Sequence, residues 1–185
     1  MVSRGFSLLD LLVTIAIIGI VSSIAAPSFS RLSQSVAARH AVFSMADCLA
    51  KARELAVLRE KNLTVCVFDA QQKCARQWSE GIIALFIDSN SNALFDTGDE
   101  LIYQAEWPAQ GGTMQWKNWR NQKTLVYQPD GSIASNGSLT YCPQTDYPDL
   151  RRAIIISKPG RVRLSQDANK NGVHENAAGE DINCQ

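Results

Sequence analysis

The chain has 185 residues, enough for one domain with a segment to spare, and it balances 18 basic against 18 acidic side chains for a formal net charge of zero. That balance excludes a whole-molecule electrostatic pull toward nucleic acid or an anionic membrane, so any such affinity has to come from local clustering. The five cysteines are an odd number, so in an oxidising compartment one thiol stays unpaired.

The first element is an apolar run from Phe6 to Ala26. As a helix it is long enough to cross a bilayer, since ~20 residues at ~1.5 Å rise span the hydrocarbon core. A carboxylate, Asp10, lies inside its first turns, where an unpaired charge is costly. Only a short segment precedes it, with Arg4 and then Gly5 before Phe6. A secretory signal puts its small-residue cleavage site after the apolar region, whereas here the small residue comes first. That arrangement resembles the prepilin signal of type IV pilins and type II secretion pseudopilins. The resemblance implies a dedicated prepilin peptidase that cuts between Gly5 and Phe6 and methylates the new terminus at Phe6. It also puts Asp10 in the place of the family's glutamate, one methylene shorter, where the carboxylate neutralises the terminal amine of a neighbouring subunit in an apolar filament core.

Pro27 removes one backbone donor and is expected to kink or open the helix. Beyond it Val42, Met45, Leu49, Ala52 and Ala56 recur at three- and four-residue steps, with Arg31, Arg39, Lys51, Arg53 and Arg59 largely on other faces. This second, amphipathic half should pack on a globular domain and end at Asn62. From Leu63 the period changes, and segments 63–68, 82–87, 100–105, 113–116, 124–128, 138–142, 153–158 and 161–165 read as strands. Ile82–Ile87 and Ala153–Ile156 are continuously apolar, as for central strands. Pro129-Asp130-Gly131 and Pro159-Gly160 are turns. The expected fold is α+β, a long N-terminal helix packed on an antiparallel β-sheet domain of type IV pilin-like architecture. The expected division is a leader at 1–5, a transmembrane and filament-core helix at 6–30, an amphipathic helix at 31–62 and a β-rich globular domain at 63–185.

The order of elements, with Trp78-Ser79-Glu80-Gly81 leading into Leu85-Phe86-Ile87-Asp88-Ser89-Asn90-Ser91-Asn92, resembles the GspH/FimT family of minor pilins and pseudopilins. Ile154-Ile155-Ile156-Ser157-Lys158-Pro159-Gly160-Arg161-Val162-Arg163 is similar to the Gly-Arg-x-Arg segment of its FimT-like members. That likeness implies binding of double-stranded DNA during natural transformation. On a strand, Arg161 and Arg163 share one face. With Lys158 across the turn they form a cationic edge suited to phosphates, which Arg151 and Arg152 would widen. The competing expectation is that these arginines pair with Asp167, Glu175, Glu180 or Asp181 in the tail. The family resemblance equally accommodates a structural subunit that primes pilus assembly or joins a type II secretion pseudopilus, without DNA.

Other signals are weaker. Met114–Lys123 interleaves tryptophans with cations and could stack on bases, but such residues more often face a core. Asp88-x-Asn90-x-Asn92 and Asp167-x-Asn169-x-Asn171 echo each other. Oxygens so spaced are what a calcium loop needs, and turns rich in Asx side chains form the same pattern without metal. The first copy lacks the turn glycine, and the second has Ala178 where a bidentate acid belongs, so no metal site is assigned. For the cysteines the expected pairs are Cys66 with Cys74 across a short turn and Cys142 with Cys184 pinning the tail, although sequence alone does not fix the pairing. Cys48 is expected to be a buried thiol. The two histidines, His40 and His174, lie far apart and no nucleophile, phosphate-loop or zinc spacing appears, so neither enzyme chemistry nor a cofactor is expected. The expected location is the bacterial inner membrane, single-pass, with a periplasmic body, and the expected partners are DNA, other pilin subunits, the peptidase and the membrane.

Overall fold

The computed structural model describes residues 7–75, 78, 81–106, 111–120, 122–145 and 147–184. The expected cleavage and methylation residues Gly5 and Phe6 lie outside them, as do Ser79 and Glu80.

Helix α1 spans Leu8–Arg59. Ser7 caps its start: the Ser7 hydroxyl accepts the Leu9 N–H at 3.3 Å, and the Ser7 N–H donates to the Asp10 carboxylate at 3.2 Å. Helical structure continues through position 27, so the proline does not interrupt α1. Loss of one N–H leaves the flanking turns intact, and in that stretch the Ser28 hydroxyl donates to the Ile24 carbonyl at 3.2 Å. The helix ends three residues before the expected Asn62. Glu60 takes φ +52°, the Lys61 N–H donates to the Ala56 carbonyl, and the Glu60 N–H donates to Val57. Those two bonds make a Schellman cap, closed here by a glutamate rather than a glycine.

By its contacts the chain divides into two compact units, 1–36 and 37–185. In the first, Leu8, Leu11, Ile15, Ile18 and Ile24 are all exposed, and α1 is long and apolar enough to cross a membrane by length and composition. The second unit holds the core. Val42, Met45, Leu49, Ala52 and Ala56, the stripe expected from periodicity, are all buried there.

Among the described residues eight strands follow: β1 (Leu63–Phe68), β2 (Ile82–Ile87), β3 (Glu100–Glu106), β4 (Gly112–Asn118), β5 (Leu125–Tyr127), β6 (Gly137–Pro143), β7 (Arg152–Ile156) and β8 (Val162–Leu164). They form two antiparallel four-stranded sheets, ordered β3-β2-β1-β5 and β4-β6-β7-β8, rather than one. β2 and β7, whose sequences are continuously apolar, are indeed central. Both sheets and α1 share one apolar cluster, which includes Trp78, Phe86, Met114, Tyr127, Leu139 and Ile154.

Disulfides join Cys66 to Cys74 and Cys142 to Cys184, the pairs singled out from the sequence. Cys48 is the free thiol, and burial pushes its pKa up to about 12. Such a group is inert as a nucleophile at neutral pH.

Candidate nucleic-acid interface

The Gly-Arg-x-Arg segment lies on the β7–β8 hairpin. Its loop is the three-residue stretch Lys158-Pro159-Gly160, closed by Ser157 N–H to the Arg161 carbonyl at 3.0 Å and Gly160 N–H to the Ser157 carbonyl at 2.8 Å. Pro129-Asp130-Gly131 closes in the same way between Gln128 and Ser132. In each loop the final glycine sits at φ +76°, the left-handed position that such loops require.

The two loops are packed together. A Cβ on Gly160 would meet the Gly131 carbonyl oxygen at 1.9 Å, so only glycine fits. Arg53, from α1, fastens both: its Nε donates to the Gly131 carbonyl at 2.9 Å and its Nη2 to the Pro159 carbonyl at 3.3 Å. Lys158 adds a third tie, donating from Nζ to the carbonyls of Ile133 at 2.8 Å and Ala134 at 3.1 Å. The Asp130 carboxyl, held below the usual carboxylate range mainly by the Ser132 side chain, lies within electrostatic reach of Lys158.

This geometry redistributes the expected cationic patch. Val162 and Leu164 turn toward the core while Arg161 and Arg163 are exposed, as the strand pleat requires. Among the described residues neither guanidinium has a hydrogen-bond or ion-pair partner. Lys158, by contrast, spends its donors on backbone carbonyls and acts as a fastener.

Arg151 and Arg152 do not widen the patch. Arg152 lies on the same side of β7 as Ile154 and Ile156, so the pleat turns it toward α1, away from the outward arginines. Its Nη1 donates to the carbonyls of Asp149 and Arg151. Arg151 donates from Nη1 to the Ile182 carbonyl at 3.0 Å, in the tail.

The tail acids have partners of their own. Asp167 accepts the Asn171 and Gly172 N–H groups, and Glu175 accepts those of Ala168 and Asn169. The amides of Asn176 and Asn171 donate to Glu180 and Asp181 respectively. Backbone donors, Ala168 foremost, hold the Glu175 carboxyl below its usual pKa. Arg163 and Glu175 line the same depression, yet that carboxylate is engaged by the backbone.

The Trp-Lys stretch divides. Met114 is buried, and Trp116 packs on the buried Trp78 at a ring separation of 5.9 Å. Trp119 lies just past the end of β4 and is 90% exposed. No cluster of three or more metal-ligating side chains occurs among the described residues.

Sequence reasoning missed Arg53. Its only signal is a cation at the border of the apolar stripe of α1, and nothing local marks the loops it will reach. Their separation along the chain makes that contact visible only once folded.

The profile of the type II transport protein GspH family matches residues 41–169 of this chain. The chain belongs to the GspH family. Its members are minor type IV pilins and pseudopilins, structural subunits that interact with other pilin subunits. The chain is 29% identical over 170 residues to a pilin-like protein, PilA1, of Thermus thermophilus, covering 89% of this chain and 99% of that one. Its fold is similar to that of the type IV minor pilin FimU of Pseudomonas aeruginosa, with a TM-score of 0.52 at 16% identity over 74% of this chain and 91% of that one. It is likewise similar to the minor pseudopilin EpsH of the Vibrio cholerae type 2 secretion system, at 0.50 and 16% over 71% of this chain and 98% of that one. Those two likenesses establish the type IV pilin-like fold, an N-terminal helix packed on antiparallel sheets. This GspH-family chain has an N-terminal apolar helix consistent with membrane-anchored pilus assembly.

Proposed function

We propose that this chain is a minor pilin that binds double-stranded DNA during uptake in natural transformation, through Arg161 and Arg163. The observation that carries the reading is a pair of outward, unpartnered guanidiniums on a hairpin fastened by Arg53 and Lys158. Two residues apart, Arg161 just before β8 and Arg163 within it, they stand roughly 7 Å from each other if the chain is extended there and can engage neighbouring backbone phosphates with little rearrangement. Contact of that kind is independent of sequence and strongly salt-dependent. In this proposal Gly5 and Phe6 are the peptidase cleavage and methylation site, Asp10 pairs with a neighbour's terminal amine during assembly, and α1 is a single-pass inner-membrane anchor with a periplasmic body. The expected boundaries at 5/6, 30/31 and 62/63 belong to the same proposal.

The test is double-stranded DNA binding by the full chain in neutral detergent micelles, wild type against Arg161→Gln/Arg163→Gln, across a salt series. The expected result is loss of affinity, with a salt slope shallower by roughly one per lost phosphate contact. An unchanged affinity in the folded double variant overturns the arginine site. Absence of binding by the folded wild type at low salt favours the second reading, a structural subunit that primes a pilus or joins a secretion pseudopilus. The fold likeness to FimU and EpsH supports that reading.

A further inference from the structure

On the helix-facing side of the second sheet, away from the outward arginines, lies a recess of about 250 Å³. Its walls are apolar: Val42 and Phe43 from α1, and Leu164 from β8. Its polar lining is Arg39 from α1, Arg152 from β7, Ser165 just after β8 and His174 from the tail, and among the described residues no acidic one lines it. Arg152 is partly buried, and the nearby Arg39 charge works against its own. Asp149 and Asp167 offset part of this field, but neither lines the recess. Among the described residues the Arg39 side chain has no hydrogen-bond partner.

His174 is oriented for the same task. Its Nδ1 lies 2.8 Å from the Ser165 carbonyl oxygen, which can only accept, so Nδ1 carries the hydrogen. The Ser165 hydroxyl, 3.0 Å from the same nitrogen, also accepts the Ala153 N–H at 2.9 Å and is fixed in place. Nε2 is left with no partner among the described residues. A ring so held offers Nε2 as an added donor once protonated.

Two guanidiniums and an imidazole around apolar walls, with no acidic side chain among the described residues of the lining, call for an anion with an apolar body. A duplex phosphate is unsuited, because it is flanked by sugars and cannot leave its backbone to enter a recess. A carboxylate at the end of a side chain or of a polypeptide can. We propose that the recess lined by Arg39, Arg152 and His174 binds a carboxylate presented by another polypeptide, an acidic side chain or a chain terminus with apolar neighbours, whose aliphatic part packs against Val42, Phe43 and Leu164. This site is independent of the DNA reading.

Carboxylate binding takes up a proton at His174. The groups facing that ring are Arg152 from β7, and Asp167 and Glu175 from its own loop; Arg39 of α1 lines the same recess. Burial and Arg152 hold the ring below the ordinary histidine pKa when the recess is empty. A bound carboxylate raises it, so binding strengthens as pH falls.

The experiment uses the full chain in neutral detergent micelles with carbon-labelled histidine, His40 serving as the internal reference. Four probes are titrated while the ring resonances are followed: acetyl-alanyl-leucine with a free carboxylate, its C-terminal amide, isovalerate and inorganic phosphate. The expected result is that the dipeptide acid moves His174 but not His40 and binds more tightly than isovalerate, while the amide has no effect. Binding is expected to weaken roughly tenfold in Arg39→Gln, whose exposed site leaves folding intact, and to be tighter at about pH 6 than at about pH 8. Equal effects of acid and amide, or an unchanged affinity in Arg39→Gln, overturn the site. Phosphate binding at least as tightly as the dipeptide overturns the carboxylate assignment. Isovalerate binding while the dipeptide is excluded overturns the polypeptide partner.

Discussion

The two Asp-Asn loops, 88–99 and 167–181, begin with the same local structure and are finished by different surroundings. In each, the leading aspartate accepts two backbone N–H bonds. Asp88 takes those of Asn92 and Ala93, at 3.1 and 2.7 Å, and Asp167 takes those of Asn171 and Gly172, at 3.1 and 2.9 Å. The next two asparagines repeat as well: Asn90 and Asn169 each accept an N–H two residues on, as do Asn92 and Asn171. Both loops also carry a pair of left-handed residues, Ser91 and Ala93 in one and Lys170 and Gly172 in the other.

The difference is closure. Asn92 donates to Asp96, four residues on, whereas Asn171 donates to Asp181, ten residues on at the loop's far end. Asp88 is 3% exposed beneath the sheet, with Thr64 donating to it at 3.4 Å, and Phe95 from the same loop packs on Phe68 and Phe86. The second loop is held at the far end of the chain, where Ile182 packs on Ala153 and Ile155 and Cys184 is bonded to Cys142. The Asx pattern writes the turn, and long-range contacts decide how firmly it is held.

The comparison breaks first at the disulfide. Cys142→Ser/Cys184→Ser opens a loop of 42-residue separation, and the chain-entropy relation gives a loss of roughly 4 kcal/mol. Amide exchange should accelerate across 167–181 while 88–99 keeps its protection. Equal loosening of both loops would show that the tail is not what the bridge restrains.

The leading aspartates sharpen the contrast at the next level. Asp88→Ala takes the acceptor from the Ala93 N–H and from the buried Thr64 hydroxyl, leaving the Asn92 N–H to Asn90, and should cost about 3 kcal/mol in denaturant unfolding. Asp167→Ala, half-buried with water at hand for the freed donors, should cost about 1 kcal/mol. A reversed order would mean that burial does not separate the loops.

The smallest effect concerns pH. Burial and Arg152 hold the His174 pKa below its unfolded value of about 6.5. The unfolded chain therefore binds the proton first. The stability associated with neutral His174 is full above about pH 6.5 and is lost as pH falls through the folded pKa. His174→Gln should flatten that part of the stability profile, and loop 88–99, which has no histidine, should show no counterpart.

Much of this molecule was legible one segment at a time. The apolar stripe from Val42 to Ala56 and the central positions of β2 and β7 follow from periodicity, because side-chain spacing is a local property. The glycines at positions 131 and 160 announce their loops because each needs a left-handed backbone. Other features were not legible. That eight strands make two sheets depends on pairing between distant segments, and nothing within β4 says it will join β6 rather than β3.

The candidate site divides in the same way. The outward placement of Arg161 and Arg163 follows from alternation against Val162 and Leu164. The capture of Lys158 by the Ile133 and Ala134 carbonyls, the fastening by Arg53, and the turning of Arg152 toward α1 all depend on what lies across the fold. The sequence by itself determined which residues alternate, cap and turn, and so the α+β class, because those preferences are set within a few bonds. Only the tertiary structure decided which cations remain available and which serve the scaffold, because a donor's partner is whichever acceptor folding brings within about 3 Å of it.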